Sequence, residues 1–197
     1  MINAIDLRNK KELKRIDNRP GYYKWWANKS ELNFILDKLS VKFETVESAI
    51  EEKDGLFCIY VGIAVKESVR DRLDWHVNDK HSEAQVRNGT LSTLRQSISS
   101  LVSQNQYDKK GTNDFIDKLK IEYFLNDNPI KSVMANTELH DFERMLLLKN
   151  LYVLNIQENH HPFAELTKTE LRRLRKISKW GWNVRMAWNM EKGNNSK

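Results

Sequence analysis

With 197 residues, 40% of them hydrophobic and 30% charged, the chain fits one domain and is long enough to bury a real core. It has no apolar run of about 18 residues, which excludes a membrane-spanning helix, and its lone Cys58 excludes a disulfide framework and a cysteine-based zinc site. A net charge of +6 and a pI near 9.3 point to a polyanionic partner, and an N-terminus without the apolar core of a secretion signal suits the cytoplasm.

Residues 1–19 form a basic lead-in, helical from Lys10, which Arg19-Pro20-Gly21 breaks. Gly21 to Ala27, GYYKWWA, is an aromatic strand, with Tyr23 and Trp25 on one face and Tyr22, Lys24 and Trp26 on the other. Asn28 or Ser30 caps a helix through Leu32, Ile35, Leu36 and Leu39. Ser40 to Asp54 is acidic and reads as a connecting insertion with a second short helix or a strand.

Phe57 to Val61 is aromatic and β-branched, a buried strand in which Cys58 is a small core residue. Gly62 follows where the chain turns or lets something approach its backbone. Val65, Val69, Leu73 and Val77 recur at helical spacing, and Arg72 and His76 share one flank of that helix. Arginine supplies charge and donors in a fixed fork, which suits a phosphodiester. Asn88-Gly89-Thr90 opens a helix from about Leu91 to Val102, Gln104 to Asn113 is a polar loop, and Leu119 to Leu125 is a third strand.

A strong helix spans roughly Val133 to Asn150, with Leu139, Phe142, Leu146 and Leu147 on one face and Glu143 among them. An ionised carboxylate there needs a cation, a metal or several donors to meet it. Arg144, Arg95 or water could serve, and Glu138 near the helix start is a competing carboxylate. Asn155 ends an apolar run, where its amide anchors the chain or touches a ligand. Asn155 to Pro162 is irregular, and its adjacent His160 and His161 lack metal-ligand geometry. A basic helix from Glu165 to Lys179 and a tryptophan-rich tail close the chain. Three short strands among helices imply α/β or α+β architecture with a small antiparallel or mixed sheet.

Four pieces in order carry a resemblance: Gly21-Tyr22-Tyr23, Tyr60-Val61-Gly62, Arg72 with His76, and Glu143 with Asn155. Together they resemble the GIY-YIG nuclease superfamily, over roughly residues 20–178. GTLSTLRQSISSLV, from Gly89 to Val102, looks like a helix of a bacterial branch; Tyr23 and Tyr60 lie farther apart than in compact members, although restriction-enzyme-like members tolerate insertions there. Tyr22 replaces the usual isoleucine, and Arg70 occupies the commoner spacing from Tyr60, although Arg72 fits the interval to His76.

The resemblance implies a nuclease domain over 20–178 with an insertion at about 28–54, flanked by the lead-in and by a tail over 179–197. It also implies hydrolysis of a phosphodiester bond with one Mg²⁺ or Mn²⁺ held by Glu143. Arg72 would bind phosphate oxygens, and Tyr23 or Tyr60 would orient water and accept its proton with help from His76. Asn155 would position a phosphate or a phenol. The implied substrate is DNA, double-stranded by class, contacted by Lys24, Lys66, Arg70, Arg172, Arg173, Arg175 and Lys176. Cutting both strands then needs a homodimer or two visits. The alternative is a nucleic-acid-binding module of the same fold that does not cut.

Overall fold

A computed structural model describes the backbone of residues 1–194 and the side chains of residues 1–179. In chain order the elements are β1 (Ile2–Asn3), a 3-10 turn (Ala4–Arg8), α1 (Lys10–Leu13), β2 (Gly21–Ala27), α2 (Lys29–Lys38), α3 (Phe43–Val46), β3 (Glu52–Lys53) and β4 (Leu56–Ala64). These are followed by α4 (Val69–Asn78), α5 (Glu83–Asn88), α6 (Thr93–Val102), α7 (Lys109–Ile116), β5 (Lys120–Leu125), α8 (Val133–Lys149) and α9 (Ala164–Asn194).

The architecture is α+β, built on one antiparallel sheet in the order β1-β5-β2-β4-β3. Its body is the three expected strands, to which β1 and β3 add two residues each. The lead-in is tied to this body rather than hanging from it. Ile2 and Asn3 pair with β5, and Ala4, Leu7, Leu13 and Ile16 are buried in the main core. The segment read as an insertion contributes to the core, since Leu32, Ile35 and Leu36 of α2 and Leu39 at its end are buried there.

β2 is central because aromatic residues on both of its faces need cover. Trp25 packs into the main core on one face, while Trp26 joins Cys58, Val61, Leu146, Leu147 and Tyr152 on the other. On that second face Lys24 is buried and paired with Glu51 at 2.6 and 2.8 Å, and Tyr152 donates to the same carboxylate at 2.9 Å. Tyr22 stacks on Phe124 at 4.6 Å and lies 4.5 Å from Phe142.

A bulge decides the phasing of β4. Trp25 pairs with Tyr60 but Trp26 with Cys58, so Ile59 is the extra residue. Ile59 and Tyr60 both enter the main core, and the strand changes face between Tyr60 and Val61. The outer edge of β4 is covered by the run after α8, where Leu154 N–H donates to the Ile59 carbonyl at 3.0 Å.

Four sequence expectations need correction. Gly62 lies inside β4 rather than in a turn after it. Val65 stands outside the following helix, because Ser68 and Asp71 form a capping box that starts α4 at Val69. The supposed loop from Gln104 to Asn113 contains the start of α7, which Asp108 caps and which buries Thr112, Phe115 and Ile116. The basic helix continues without a break as α9 through the tryptophan-rich tail, whose side chains lie outside those described. No described helix is long and apolar enough to cross a membrane.

Candidate active site

Tyr23 and Tyr60 face the same side of the sheet, since Tyr23 sits opposite Gly62 and Trp25 opposite Tyr60. The Tyr23 phenol lies directly over Gly62, where an added Cβ would stand 2.5 Å from its hydroxyl oxygen. Glycine is therefore required for close approach, not for turning. Gly21 is required likewise, for a Cβ there would stand 2.0 Å from the Phe124 carbonyl oxygen.

α4 brings His76 under the two phenols. Tyr23 Oη and His76 Nε2 are 2.9 Å apart. The imidazole is enclosed by Tyr23, Trp25, Tyr60 and Trp75, with ring centroids 5.4 to 6.1 Å away. Burial, then the charges of Arg72 and Arg95, push its pKa well below the usual value. The ring is thus neutral, and its Nδ1 has no hydrogen-bond partner among the described residues. Arg95 fixes the end of the helix that carries it. Wholly buried, Arg95 donates to the His76 carbonyl at 2.7 Å, the Val77 carbonyl at 3.3 Å and Asn113 Oδ1 at 2.6 Å. Carbonyls at a helix end have no partner within the helix, which is why a guanidinium is accommodated there.

A cleft of about 210 Å³ opens over these groups, lined by Tyr23, Tyr60, Arg72, Trp75, His76 and Glu143 among others. Arg72 lies half-buried with its guanidinium 5.0 Å from the centre of the Trp75 ring. Its Nε forms an ion pair with Glu67 Oε1 at 2.9 Å without hydrogen-bond alignment, and among the described residues its terminal nitrogens make no hydrogen bond. Glu143 enters from α8, half-buried, with no hydrogen bond or ion pair among the described residues. Burial and the neighbouring Glu158 raise its pKa to about 7, against the opposing pull of Arg72. The competing Glu138 is exposed and bonded to Asn126 and Asn128. Arg95, once a possible partner of Glu143, is engaged elsewhere.

The phenols differ in electrostatic setting. Tyr23 is pushed far above its usual pKa by burial and by Tyr60. Tyr60 is pushed up to about 12 by burial and Glu143, with Arg72, Arg175 and the Tyr23 hydroxyl pulling the other way.

The remaining expected residues are dispersed. Asn155 is buried, and its amide is used on the backbone of β4: Oδ1 accepts from Val61 N–H at 3.0 Å and Nδ2 donates to the Val61 carbonyl at 2.8 Å. Lys24 is on the far face of the sheet. Arg70, half-buried, is not on the cleft wall, whereas Arg72 is. Lys66, Arg172, Arg173 and Lys176 are exposed, with Arg173 paired to Glu170. Of the four basic-helix residues expected at DNA, Arg175 turns inward, where it donates to Gln96 Oε1. His161 Nδ1 accepts from Phe163 N–H at 3.2 Å.

Sequence reasoning missed Trp75, Thr93 and Gln157 on the cleft wall. Trp75 had a readable signal, since it stands between Arg72 and His76 on one helix. Thr93 lay within the quoted segment GTLSTLRQSISSLV, whereas Gln157, a polar residue in an irregular segment, had no signal.

A family model described as GIY-YIG catalytic domain matches residues 21–177. No curated protein and no solved structure matches the chain.

Proposed function

The chain belongs to the GIY-YIG catalytic-domain family, a family of nucleases, and from that premise we propose that it is a divalent-metal-dependent endonuclease acting on DNA, with residues 20–178 as its nuclease unit. One observation carries the reading. Tyr23, Tyr60, Arg72, His76 and Glu143, scattered along the sequence, line one open cleft, and together they can hold a phosphate, a cation and a water.

The donor set fits a hard divalent ion. Among the described residues no three His, Cys, Asp or Glu side chains group to hold a metal, but Glu143 offers an oxygen pair that nothing else uses. Mg²⁺ keeps several waters and commonly binds through one or two carboxylates plus substrate phosphate. Bound to Glu143, such an ion would stabilise charge at the phosphate and on the departing 3′ oxygen.

The other side chains do the rest. Arg72 binds nonbridging phosphate oxygens through charge-assisted hydrogen bonds. Tyr23, which its raised pKa keeps protonated, would pass its own proton to Nε2 of His76 as its oxygen takes one from the attacking water. Neutral His76 holds Tyr23 in place and shares the proton along the 2.9 Å contact between them. Asn155 supports the site indirectly by clamping Val61, next to Tyr60.

A plasmid-nicking assay with Mg²⁺ tests the proposal. Wild-type protein is expected to nick, and Glu143→Ala and Arg72→Ala each to lose at least about a hundredfold in rate. Cleavage surviving both substitutions would defeat the site, and salt-sensitive DNA binding without any cleavage would leave a non-catalytic module.

A further inference from the structure

Past Glu143 the cleft widens into a second cavity of about 400 Å³, continuous with the first through Tyr60, Thr93, Glu143 and Gln157. Its outer wall is His140, Asp141 and Arg144 of α8 together with Gln157 and Glu158. None of these five side chains makes a hydrogen bond or ion pair among the described residues. Many other surface charges of the molecule are paired, for example Arg87 with Glu83 and Lys110 with Asp114. Hydrogen-bonding groups held apart around a cavity beside the reacting centre are placed for a ligand.

The charges of that wall narrow its chemistry. Two carboxylates face one guanidinium, with Glu143 at the boundary, so the lining repels a phosphate backbone. The acidic and histidine side chains do not group closely enough to hold a metal ion. What a nucleic acid can still offer such a wall is a base. Resting on the nuclease reading, we propose that this cavity receives the base of a nucleotide next to the scissile phosphate and selects one with an exocyclic amino group, Asp141 and Glu158 being its acceptors. Cytosine presents an N4 amine to a carboxylate, and adenine and guanine present N6 and N2 amines. Thymine and uracil present a carbonyl oxygen where cytosine has its amine, which a carboxylate repels, and keep only the flanking N3–H as a donor.

Binding is measured by fluorescence anisotropy on the full chain carrying Glu143→Gln, with short cytosine-only and uracil-only oligodeoxynucleotides that differ at the base 4-position and in the N3 proton. The cytosine strand is expected to bind about tenfold more tightly. Adding Asp141→Ala and Glu158→Ala, both at exposed positions, is expected to bring the ratio below about twofold. Equal binding, a preference for uracil, or a ratio unchanged in the substituted protein would overturn the proposal. In a second arm, wild-type protein and Mg²⁺ cut a library randomised around the break, and thymine is expected to be depleted at one position beside it. Cleavage without base bias there sinks the base pocket and leaves the nuclease standing. A cytosine preference in a protein that never cuts keeps the pocket and sinks hydrolysis.

Discussion

Gly62 carries no side chain because the Tyr23 phenol fills the space one would need, 2.5 Å from the hydroxyl and 2.7 Å from Cζ. Neither atom can yield easily, since Tyr23 is buried and bonded to His76. Gly62→Ala therefore pushes the phenol off its histidine. Overpacking of this kind costs about 1–3 kcal/mol, and a displacement near 1 Å costs about a hundredfold in rate. Urea denaturation and nicking rates measure the two effects, and a wild-type rate in the variant would remove the Tyr23–His76 contact from the mechanism. His76 makes a second, separable prediction. Its folded pKa lies well below the ordinary 6.5, so below about pH 6.5 the unfolded chain takes up a proton that the folded chain refuses. The unfolded state then binds more protons and stability falls with pH, by up to about 1.4 kcal/mol per unit until the folded pKa is reached. Above that window the term is constant. Denaturation at a series of pH values is expected to show His76→Gln with an acid slope shallower by about one proton, and an unchanged slope would mean the imidazole is charged in the fold.

Among the elements, β4 is the one on which the site depends, and beyond the short β3 its outer edge is held at Val61 by a side chain. Asn155 satisfies both backbone groups of Val61, one residue from Tyr60 and one from Gly62. Asn155→Ala leaves a buried donor and a buried acceptor unpaired, which costs about 2–4 kcal/mol in all. Thermal denaturation measures that loss, and metal or DNA affinity of the surviving folded protein is expected to change little. A stable variant with lost DNA affinity would return Asn155 to the role of a ligand contact. The position of Asn155 twelve residues after Glu143 was legible in the sequence, but its task was not, because a turn residue and an edge clamp look alike in one dimension. The three main strands and the helix carrying Glu143 were legible for the opposite reason. Their alternation or helical period is set by burial, which composition records directly. The bulge at Ile59 left no such trace, for Phe57 to Val61 is apolar on both faces and hides any change of phase. α7 was hidden by its polar first turn, KKGTND, although Phe115 and Ile116 bury its far end.

Over the whole molecule the net charge of +6 is less informative than where the free cations stand. Of the seven basic residues that sequence pattern associates with DNA, Lys24 is locked to Glu51, Arg173 to Glu170, and Arg175 is turned toward Gln96 and Tyr60. Arg70 is half-buried near Asp71, 4.0 Å from its carboxylate. That leaves Lys66 on the loop after β4, and Arg172 and Lys176 on α9, exposed and without ion pairs among the described residues. Spacing along the basic helix could not separate these classes, because adjacent positions on a helix point in different directions and only packing against α6 decides which one turns inward. Each cation that neutralises a phosphate releases counterions, so the slope of log affinity against log salt counts the contacts at about 0.9 each. Lys66→Gln, Arg172→Gln and Lys176→Gln combined are expected to flatten that slope on duplex DNA by up to about 2.7, whereas Lys24→Gln and Arg173→Gln leave it nearly unchanged. Binding titrations over a range of salt read the slopes directly. If removing the paired residues flattens the slope as much as removing the free ones, DNA is not held through Lys66, Arg172 and Lys176.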